Sequence, residues 1–512
     1  MKNSKILMIL VEIVFISVLM SLISLSVNAE TWQSQFIGDG TFSSIRLDSF
    51  GNPRICYYDS KSKDLVYIKW TKTGWEYETV DSDGDVGKYN SLVLDSNNNP
   101  YISYYSSTNG NLKYAKEIND KWRVETIDSG DNTGLYSSID LDSSGKPHIS
   151  YYDFSNKRLM HAYKGVELWK KEAVEEEYDV GKFSSIQVDD HIHISYFDAE
   201  NQNLLYSEYD GDVWKTSIVD EEESGMYTSL ELDNSGNPHI SYSGAESGLV
   251  KYAFEEKGIW NNNVIDDESS IGGDTSLEFS EGKFHLVYSD SKNNLVYAVS
   301  DNDNSWETRI PDNSSFVSND VSIVVGSYGR AYITYPDINV GKIKYLTYYT
   351  VPSKPINLRA IAGDGDVKLQ WVEPSNNGGK DIEEHYVYRM DSSGKRERIA
   401  SLRSPKTSYV DDSVYNGQNY RYYVTALNVI GESKPSNNVD VTPTSQSNFV
   451  GEDPEEIEDR STASTVPEEG VNKTTDHIKI SNTGEEEEKL PLYLILPLII
   501  IIVIILFKRR ES

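Results

Sequence analysis

Aromatic and acidic side chains recur through the first 290 residues of this 512-residue chain. Aromatic rings stack on sugar faces and carboxylates accept hydrogen bonds from sugar hydroxyls, so this combination favours carbohydrate binding. The same residues can instead pack between repeated units, with the acids accepting hydrogen bonds in their own turns. The aromatic candidates are Phe42, Tyr89, Tyr136, Phe183 and Tyr227, and the acidic candidates are Asp59, Asp153, Asp198 and Asp290.

A short acidic loop is a candidate calcium site. Asp81, Asp83 and Asp85 lie within a glycine-containing turn, and calcium is bound by several oxygens from such turns. The spacing is not that of an EF-hand, since Gly84 falls at loop position four and Leu92 at position twelve. A solvated acidic turn is the alternative, and no other cofactor is expected.

Enzymatic groups cannot be selected from the sequence. His148, His193, His239 and His285 occupy equivalent positions in successive repeats, so the fold separates them and a shared metal is not expected. Glycoside hydrolysis needs two defined carboxylates, and acids are too frequent here for such a pair to be chosen. A binding protein is therefore favoured, and a surface glycosidase or lyase stays open as an alternative.

A repeat of 45 to 47 residues must position these side chains. Its second apolar segment is centred on Ile55, Ile102, Ile149, Ile194, Ile240, Leu286 and Ile333. Within each copy, apolar and polar residues alternate with period two, which indicates short strands joined by Asp/Gly/Pro turns. Four strands per copy predict the blades of a seven-bladed β-propeller over residues 30–350.

Seven tryptophans follow the same period and suggest how the ring closes. They stand at Trp32, Trp75, Trp122, Trp169, Trp214, Trp260 and Trp306. The first precedes the first repeat, and the strands of the last repeat are not followed by a tryptophan at this spacing. We therefore expect the segment from Trp32 to Ile37 to supply the last strand of the last blade. The repeats resemble fucose-binding-lectin-like propellers and those of prokaryotic, often archaeal, surface proteins, which implies an extracellular binding module. Sialidase-like propellers are a poorer match, because their arginine trio and Asp-box turns are not found.

Residues 351–444 resemble the fibronectin type III family. The resemblance lies in Pro352, Pro355, the segment around Trp371 and the run from Tyr420 to Asn428. It implies a β-sandwich with Trp371 in the core and Tyr420 as the tyrosine corner. The predicted fold class is thus all-β, apart from one C-terminal membrane helix.

The two ends predict an exported, membrane-anchored protein. Residues 1–29 have the charge, apolar run and small residues of a signal peptide, with an uncleaved anchor as the alternative. Residues 445–489 are rich in Ser, Thr and Glu and predict a disordered stalk. Residues 490–507 carry no charge and predict a single membrane helix, followed by a basic cytoplasmic tail at 508–512.

The net charge and the cysteine content limit the classes of partner and the cross-links that we expect for this chain. The formal net charge is −33, so nucleic acid is not an expected partner. A single cysteine, Cys56, rules out an internal disulfide. The sequence predicts a cell-membrane protein, with its bulk outside, that binds a glycan or an envelope protein through the propeller loops. The alternative is a structural envelope component without a ligand.

Overall fold

In the computed structural model, described residues run from 31 to 445 except 222–223, 246, 267–272, 303–304, 314–315, 318–319 and 392. The first part of this range is built from strands of five to nine residues, with one longer strand at the start. In chain order they are β1 (Thr31–Leu47), β2 (Pro53–Asp59), β3 (Leu65–Thr71), β4 (Gly74–Asp81), β5 (Val86–Leu94), β6 (Pro100–Ser106), β7 (Asn111–Glu117), β8 (Trp122–Asp128), β9 (Thr133–Leu141), β10 (Pro147–Asp153), β11 (Arg158–Lys164), β12 (Trp169–Glu175), β13 (Val180–Val188), β14 (Ile192–Asp198), β15 (Asn203–Tyr209), β16 (Trp214–Asp220), β17 (Ser224–Leu232), β18 (Pro238–Gly244), β19 (Val250–Glu256), β20 (Ile259–Asp266), β21 (Thr275–Ser280), β22 (Lys283–Ser289), β23 (Leu295–Asn302), β24 (Ser305–Asp312), β25 (Ser322–Gly326), β26 (Arg330–Asp337) and β27 (Lys342–Tyr349). A single 3-10 turn, Ser327–Gly329, separates β25 from β26.

These strands form four-stranded antiparallel sheets that repeat along the chain. Strands β5–β8, β9–β12, β13–β16, β17–β20 and β21–β24 each make one sheet, with neighbours in sequence paired in space. Tyrosine and β-branched residues supply the strands and Asp/Gly/Pro turns separate them, as the period-two pattern predicts. The all-β fold built from repeated four-stranded units is confirmed, and it is consistent with a β-propeller.

Strand β1 joins the beginning of this region to its end. Its first half pairs with β27, from Thr31 opposite Tyr349 to Asp39 opposite Lys342. Its second half pairs with β2, from Gly40 opposite Asp59 to Leu47 opposite Pro53. The expected pairing of the Trp32 segment with the last repeat is confirmed. One continuous strand therefore fastens the two ends together without a disulfide.

The strand that begins each repeat, here called its first strand, carries a serine that links neighbouring sheets. Its Oγ accepts a hydrogen bond of 3.0 to 3.3 Å from a main-chain N–H of the next first strand. The serine-to-N–H pairs are Ser44–Leu92, Ser91–Ile139, Ser138–Ile186, Ser185–Leu230, Ser229–Leu277, Ser276–Ile323 and Ser322–Ile45. The last pair returns to the first strand, so the first strands surround a common axis.

The seven periodic tryptophans make a second closed series, farther from the axis. Each indole packs edge to face on a third-strand ring of the preceding sheet, with centroids 5.0 to 5.6 Å apart. The pairs are Trp32–Tyr297, Trp75–Tyr345, Trp122–Tyr67, Trp169–Tyr114, Trp214–His161, Trp260–Tyr206 and Trp306–Tyr252. The tryptophans therefore recur with the period of the repeat because each one makes a contact between neighbouring sheets.

Two further sheets follow. Their strands are β28 (Ile356–Ala362), β29 (Val367–Val372), β30 (Glu384–Met390), β31 (Arg396–Arg403), β32 (Ser408–Asp411), β33 (Tyr420–Asn428), β34 (Gly431–Glu432) and β35 (Val439–Val441). One sheet has the order β28-β29-β32; the other has the order β31-β30-β33-β34, with β35 also on β33. Trp371 is buried in their common core. The Tyr420 hydroxyl accepts the Tyr415 N–H at 3.0 Å, which is the hydrogen bond expected of a tyrosine corner.

Several sequence predictions fall outside the described residues. The signal peptide, nearly all of the stalk, the membrane helix at 490–507 and the tail at 508–512 are among them. Within the residues that are described, no helix has the length and apolar character needed to cross a membrane.

Candidate functional site

The five predicted aromatic residues meet around the axis. Neighbouring rings in the order Phe42, Tyr89, Tyr136, Phe183 and Tyr227 have centroids 4.3 to 4.8 Å apart and are tilted by 50 to 58°. Each ring is half-buried and lines one cavity, which we call the axial cavity. The rings therefore pack against one another, as the second sequence hypothesis held, and they also border a space that a ligand can enter.

A bulge in each first strand aims these rings inward. Every one of the five aromatics has a positive φ between 51 and 55°, which is uncommon for a non-glycine residue. The strand pairing slips at the same place, for example between Lys88 and Ser91. A bulge turns a side chain away from the regular alternation of the strand, and here it turns each ring toward the axis.

Two aspartates complete the aromatic ring, and sequence reasoning missed both. Asp274 and Asp320 line the same cavity and stand three residues before the buried Leu277 and Ile323, as Tyr227 stands before Leu230. The Asp320 N–H donates to the Asp274 carboxylate, and the Phe42 N–H donates to the Asp320 carboxylate. Counting back three residues from each first-strand anchor would have found them. We call these five aromatics and two aspartates the outer ring.

The two aspartates of the outer ring hold protons tightly. Burial raises the pKa of Asp274 to about 7, although the Asp320 N–H opposes the shift. Burial and the nearby charge of Asp274 raise the pKa of Asp320 well above its usual range. Both carboxyl groups therefore resist ionisation, and a positive charge placed beside them would favour their ionised forms.

A second polar layer lies four residues farther along the first strands. Its charged members are Arg46, Asp140, Glu231 and Glu278, which come from four different sheets. The Arg46 guanidinium favours ionisation of all three carboxylates, but burial outweighs it and raises the pKa of Asp140 to about 6. Burial raises the pKa of Glu231 as well, with the Glu278 charge adding to the shift. We call this group the inner layer, and it holds more carboxylates than cations.

The axial cavity is small and polar. Its volume is about 220 Å³, below the roughly 300 Å³ at which pockets for drug-sized ligands begin. Among the described residues that line it, the only Lys or Arg is Arg46. Ser43 also lines it; only 7% of Ser43 is exposed, and its Oγ is inaccessible and has no hydrogen-bond partner within the described structure. This volume limits any occupant to about the size of one sugar residue.

Four acids were predicted at the loops between the second and third strands. Each of them accepts main-chain hydrogen bonds within its own turn. Asp59 Oδ1 accepts the N–H groups of Lys61 and Ser62 at 2.8 and 3.1 Å. Asp198 Oδ1 accepts the N–H groups of Glu200 and Asn201, both at 3.0 Å. Similar turn bonds hold Asp153, to Asn156, and Asp290, to Lys292 and Asn294. None of these four acids lines the axial cavity.

The predicted calcium loop is tied into the contact between sheets. Asp81 is buried, and its Oδ2 accepts the Tyr104 hydroxyl at 2.7 Å and pairs with Lys113 Nζ. Burial would raise the pKa of Asp81, but the bonds with Lys113 and Tyr104 lower it below the usual value. Asp85 lies 3.3 Å from Lys88 Nζ, and Asp83 is exposed. Within the described residues, no cluster of three or more His, Cys, Asp or Glu is placed to hold a metal ion.

Replacing Lys113 tests this assignment of Asp81. Lys113 and Asp81 are 6% and 8% exposed, so Lys113→Met leaves a buried carboxylate without its cation. We expect a loss of about 2–3 kcal/mol in the free energy of unfolding at pH 7, shrinking at pH 3 as Asp81 takes up a proton. Chemical denaturation of the full chain measures it, with Lys61→Met at the exposed Lys61–Asp39 pair as the matched control. Equal losses in the two variants, or restoration of the Lys113 variant by calcium, would contradict it.

The equivalent histidines are core residues of separate sheets. His148, His193, His239 and His285 are buried and each contacts a ring on the adjacent strand. Burial lowers the pKa of His285 to about 4, so it is neutral at physiological pH. They lie in four different sheets, as their equivalent positions in successive repeats predict.

No family model matches the chain. Among curated proteins it is 29% identical over 129 residues to a titin homolog of Caenorhabditis elegans, covering 25% of this chain and 1% of that protein. It is 32% identical over 104 residues to an amylopullulanase of Thermoanaerobacterium thermosulfurigenes, covering 20% of this chain and 5% of that one. The chain thus spans only a small fraction of either relative.

Solved structures resemble separate parts of the chain. The SapL1 lectin in complex with α-methyl fucoside has a TM-score of 0.38 at 14% identity, covering 51% of this chain and 92% of the lectin. The six-bladed fungal lectin of Aleuria aurantia has a TM-score of 0.38 at 10% identity, covering 51% and 90%. A fibronectin type III-like protein of Clostridium thermocellum has a TM-score of 0.16 at 23% identity, covering 19% and 98%. Similarity at this level establishes neither the ligand nor the function of this chain.

Proposed function

We propose that the chain is a cell-surface recognition protein whose seven-bladed β-propeller binds a glycan by receiving one sugar residue in the axial cavity. The observation that carries the proposal is the outer ring, which brings five aromatic rings and two carboxylates to the mouth of one small cavity. Aromatic carbons pack on the apolar face of a sugar, while carboxylates and tyrosine hydroxyls bond its hydroxyls.

Seven blades are supported by two independent sets of contacts. The serine bonds and the tryptophan contacts each run through seven members and return to their starting sheet. The fibronectin type III-like sandwich at 351–444, the acidic stalk and the membrane helix at 490–507 would carry this propeller away from the bilayer. In this proposal the signal peptide at 1–29 directs export, and the single helix is the membrane contact.

The binding surface in this proposal differs from the loop face expected from the sequence. Asp59, Asp153 and Asp198 already satisfy turn N–H groups, so they have less capacity to accept sugar hydroxyls. The cavity carboxylates receive main-chain N–H groups but also face an open volume. We therefore place recognition at the axial cavity.

A glycan array tests this function. The full chain in mild detergent is expected to bind a defined set of glycans, and Tyr136→Ala to weaken that binding by about tenfold or more through loss of a stacking surface. Phe154→Ala removes an exposed aromatic that does not line the cavity and serves as the control. Binding that survives Tyr136→Ala would remove the axial site from the proposal. A blank array would overturn glycan recognition and favour a scaffold of the cell envelope.

A further inference from the structure

We propose that the side chains of Lys344 and Asp312 condense to an isopeptide bond, which links two neighbouring sheets covalently. Lys344 lies on β27, in the sheet that β1 completes, and Asp312 ends β24 of the preceding sheet. The inference is independent of glycan recognition. It rests on one lysine, two carboxyl groups and one tyrosine that meet between these sheets.

The two groups that would react are already adjacent. Lys344 Nζ lies 3.0 Å from Asp312 Oδ2, and each of the two side chains is only 8% exposed. Groups held in a well-oriented pair react as though their concentration were very high, on the order of 10⁵ M or more. The fold therefore supplies the proximity that an amine and a carboxyl group lack in free solution.

A second carboxyl group, that of Asp337, is placed to carry protons. Its Oδ2 lies 3.9 Å from Lys344 Nζ, and the Asp337 side chain is 6% exposed. An ammonium group must lose a proton before its nitrogen can attack, and the oxygen that leaves the acid must gain protons. One buried carboxyl group beside the lysine can do both.

The Tyr335 hydroxyl supports the attack from the other side. It donates a hydrogen bond to Asp312 Oδ2 at 2.6 Å, and Tyr335 is completely buried, so packing fixes its position. Attack by Nζ on the Asp312 Cγ moves negative charge onto the oxygens of that carboxyl group. A hydrogen-bond donor that is already in place stabilises this charge as it develops.

The reaction balances without a co-reactant. Lys344 Nζ gives one proton to Asp337 and forms a bond to the Asp312 Cγ, and one C–O bond of Asp312 then breaks. The departing oxygen takes the proton held by Asp337 and a second proton released by Nζ, and leaves as water. One ammonium and one carboxylate thus become one amide and one water. Asp337 returns to its starting form, and nothing is oxidised or reduced.

The repeats show that a lysine is not needed at this place for packing. The residue that pairs with the tyrosine equivalent to Tyr335 is lysine in three repeats and apolar in four. The apolar residues are Val66, Met160, Leu205 and Val296. Replacement of Lys344 by methionine therefore copies a side chain that another repeat accommodates.

Lys113 provides a natural comparison within the same chain. It pairs with the buried Asp81 carboxylate, which also accepts the Tyr104 hydroxyl. Two residues after Tyr104 stands Ser106, at the place that Asp337 occupies in the last repeat. Among the described residues, the ion pairs of Lys113 involve Asp81 alone. This site has the amine, the acid and the tyrosine without a proton carrier, so we expect it to remain an ion pair.

Mass spectrometry of the full chain tests the proposal, after purification in mild detergent, denaturation and digestion with trypsin. Trypsin cuts after unmodified lysine and arginine, so an acylated Lys344 is not cut. The expected product joins residues 310–330 to residues 343–359 and is lighter than the sum of those two segments by about 18 Da, the mass of one water. Without the bond, residues 310–330 and 345–359 are recovered separately.

The variants identify the part that each residue plays. Asp337→Asn should abolish the joined product although both reacting residues remain, Tyr335→Phe should reduce its yield, and Lys344→Met should abolish it. In the wild-type digest, the segments that contain Asp81 and Lys113 should stay separate.

The wild-type digest is decisive by itself, so the proposal does not depend on any variant folding. Recovery of residues 310–330 and 345–359 only as separate segments would overturn the isopeptide bond. A joined product that persists in Asp337→Asn, or one that joins Asp81 to Lys113, would overturn the role of Asp337 as proton carrier. A thermal melt of each variant shows whether a lost product reflects lost chemistry or lost folding.

Discussion

Substitution of Gly134 by alanine is expected to destabilise the repeated sheets strongly. Gly134 has a φ of 102°, and an added Cβ would lie 2.6 Å from Leu112 Cα in the preceding sheet. The neighbour is main chain, so no side-chain rotation relieves the clash. Backbone strain and overpacking together should cost about 4 kcal/mol of unfolding free energy.

A matched glycine separates the two causes. Gly145 also has a positive φ, of 77°, but nothing lies within 4 Å of the position of its Cβ. Gly145→Ala should therefore cost only the backbone strain, about 1 kcal/mol. Urea denaturation of both variants measures the difference. If the two losses are equal, the close approach between neighbouring sheets does not control stability at Gly134.

Gly134→Ala also has a consequence for the site. Gly134 stands two residues before Tyr136, at the bulge that turns this ring toward the axis. A sheet displaced by the added methyl group would move Tyr136 relative to Tyr89 and Phe183. The position of the Tyr136 ring therefore depends on Gly134, a residue that does not line the cavity.

The strands and their repeat were predictable because local sequence determines them. Alternation with period two and the Asp/Gly/Pro turns are properties of each repeat by itself, and the isoleucine anchors gave the period. The tryptophans also revealed the closing strand, since Trp32 lacks a repeat of its own before it and pairs with the end of the region. In the sandwich, Trp371 and Tyr420 carried enough of the pattern to predict their burial.

The site was only half predictable, because its other half breaks the repeat. A search for aromatics ends at Tyr227, and at the next two equivalent positions the residues are Asp274 and Asp320. The inner layer was missed for a different reason. Polar residues alternating along a strand usually face solvent, yet Asp140 and Glu231 lie on the axial side of their strands, where the ring of first strands encloses them.

The calcium hypothesis shows that the role of a loop cannot be inferred from the sequence of that loop alone. Asp81, Asp83 and Asp85 look like ligands when the loop is considered alone. The partners of Asp81 are Tyr104 and Lys113, which lie on the next sheet, 23 and 32 residues away in sequence. Packing between sheets decides that contact, and a single sequence contains no direct record of it.

Raising the pH from 4 to 8 is expected to lower the stability of the propeller through its axial carboxylates. An acid whose pKa is raised by folding holds its proton in the folded state after the unfolded chain has lost it. Its contribution is therefore fully present below about pH 4 and is lost as the pH rises through the folded pKa. The relevant pKa values are about 7 for Asp274 and about 6 for Asp140. We expect a total loss on the order of several kcal/mol across this window.

The groups around Asp274 determine whether its ionisation lowers or raises the stability of the fold. The Asp320 carboxylate faces it from the segment before β25, and the Tyr227 and Tyr136 side chains face it from β17 and β9. Arg46 lines the same cavity, but its charge acts on the inner-layer acids and does not figure among the causes of the Asp274 shift. The surroundings of Asp274 thus offer little positive charge, and its ionisation remains unfavourable.

Replacing Asp274 by its neutral analogue isolates the contribution of this carboxyl group to the pH dependence of stability. Asp274→Asn should raise the unfolding free energy at pH 8 and leave it nearly unchanged at pH 4, where the wild-type carboxyl is already protonated. Asp142→Asn is the control of opposite sign. Burial opposes ionisation of Asp142, but the Ser144 hydroxyl and nearby N–H groups lower its pKa to about 2. That substitution should therefore destabilise the protein at pH 7, with a smaller effect toward pH 2.

One outcome would contradict this account of the pH dependence. If Asp274→Asn destabilises the chain equally at pH 4 and pH 8, then Asp274 acts only as an acceptor for the Asp320 N–H. The loss of stability between pH 4 and pH 8 would then have to come from other groups, because the ionisation of Asp274 would contribute nothing to it.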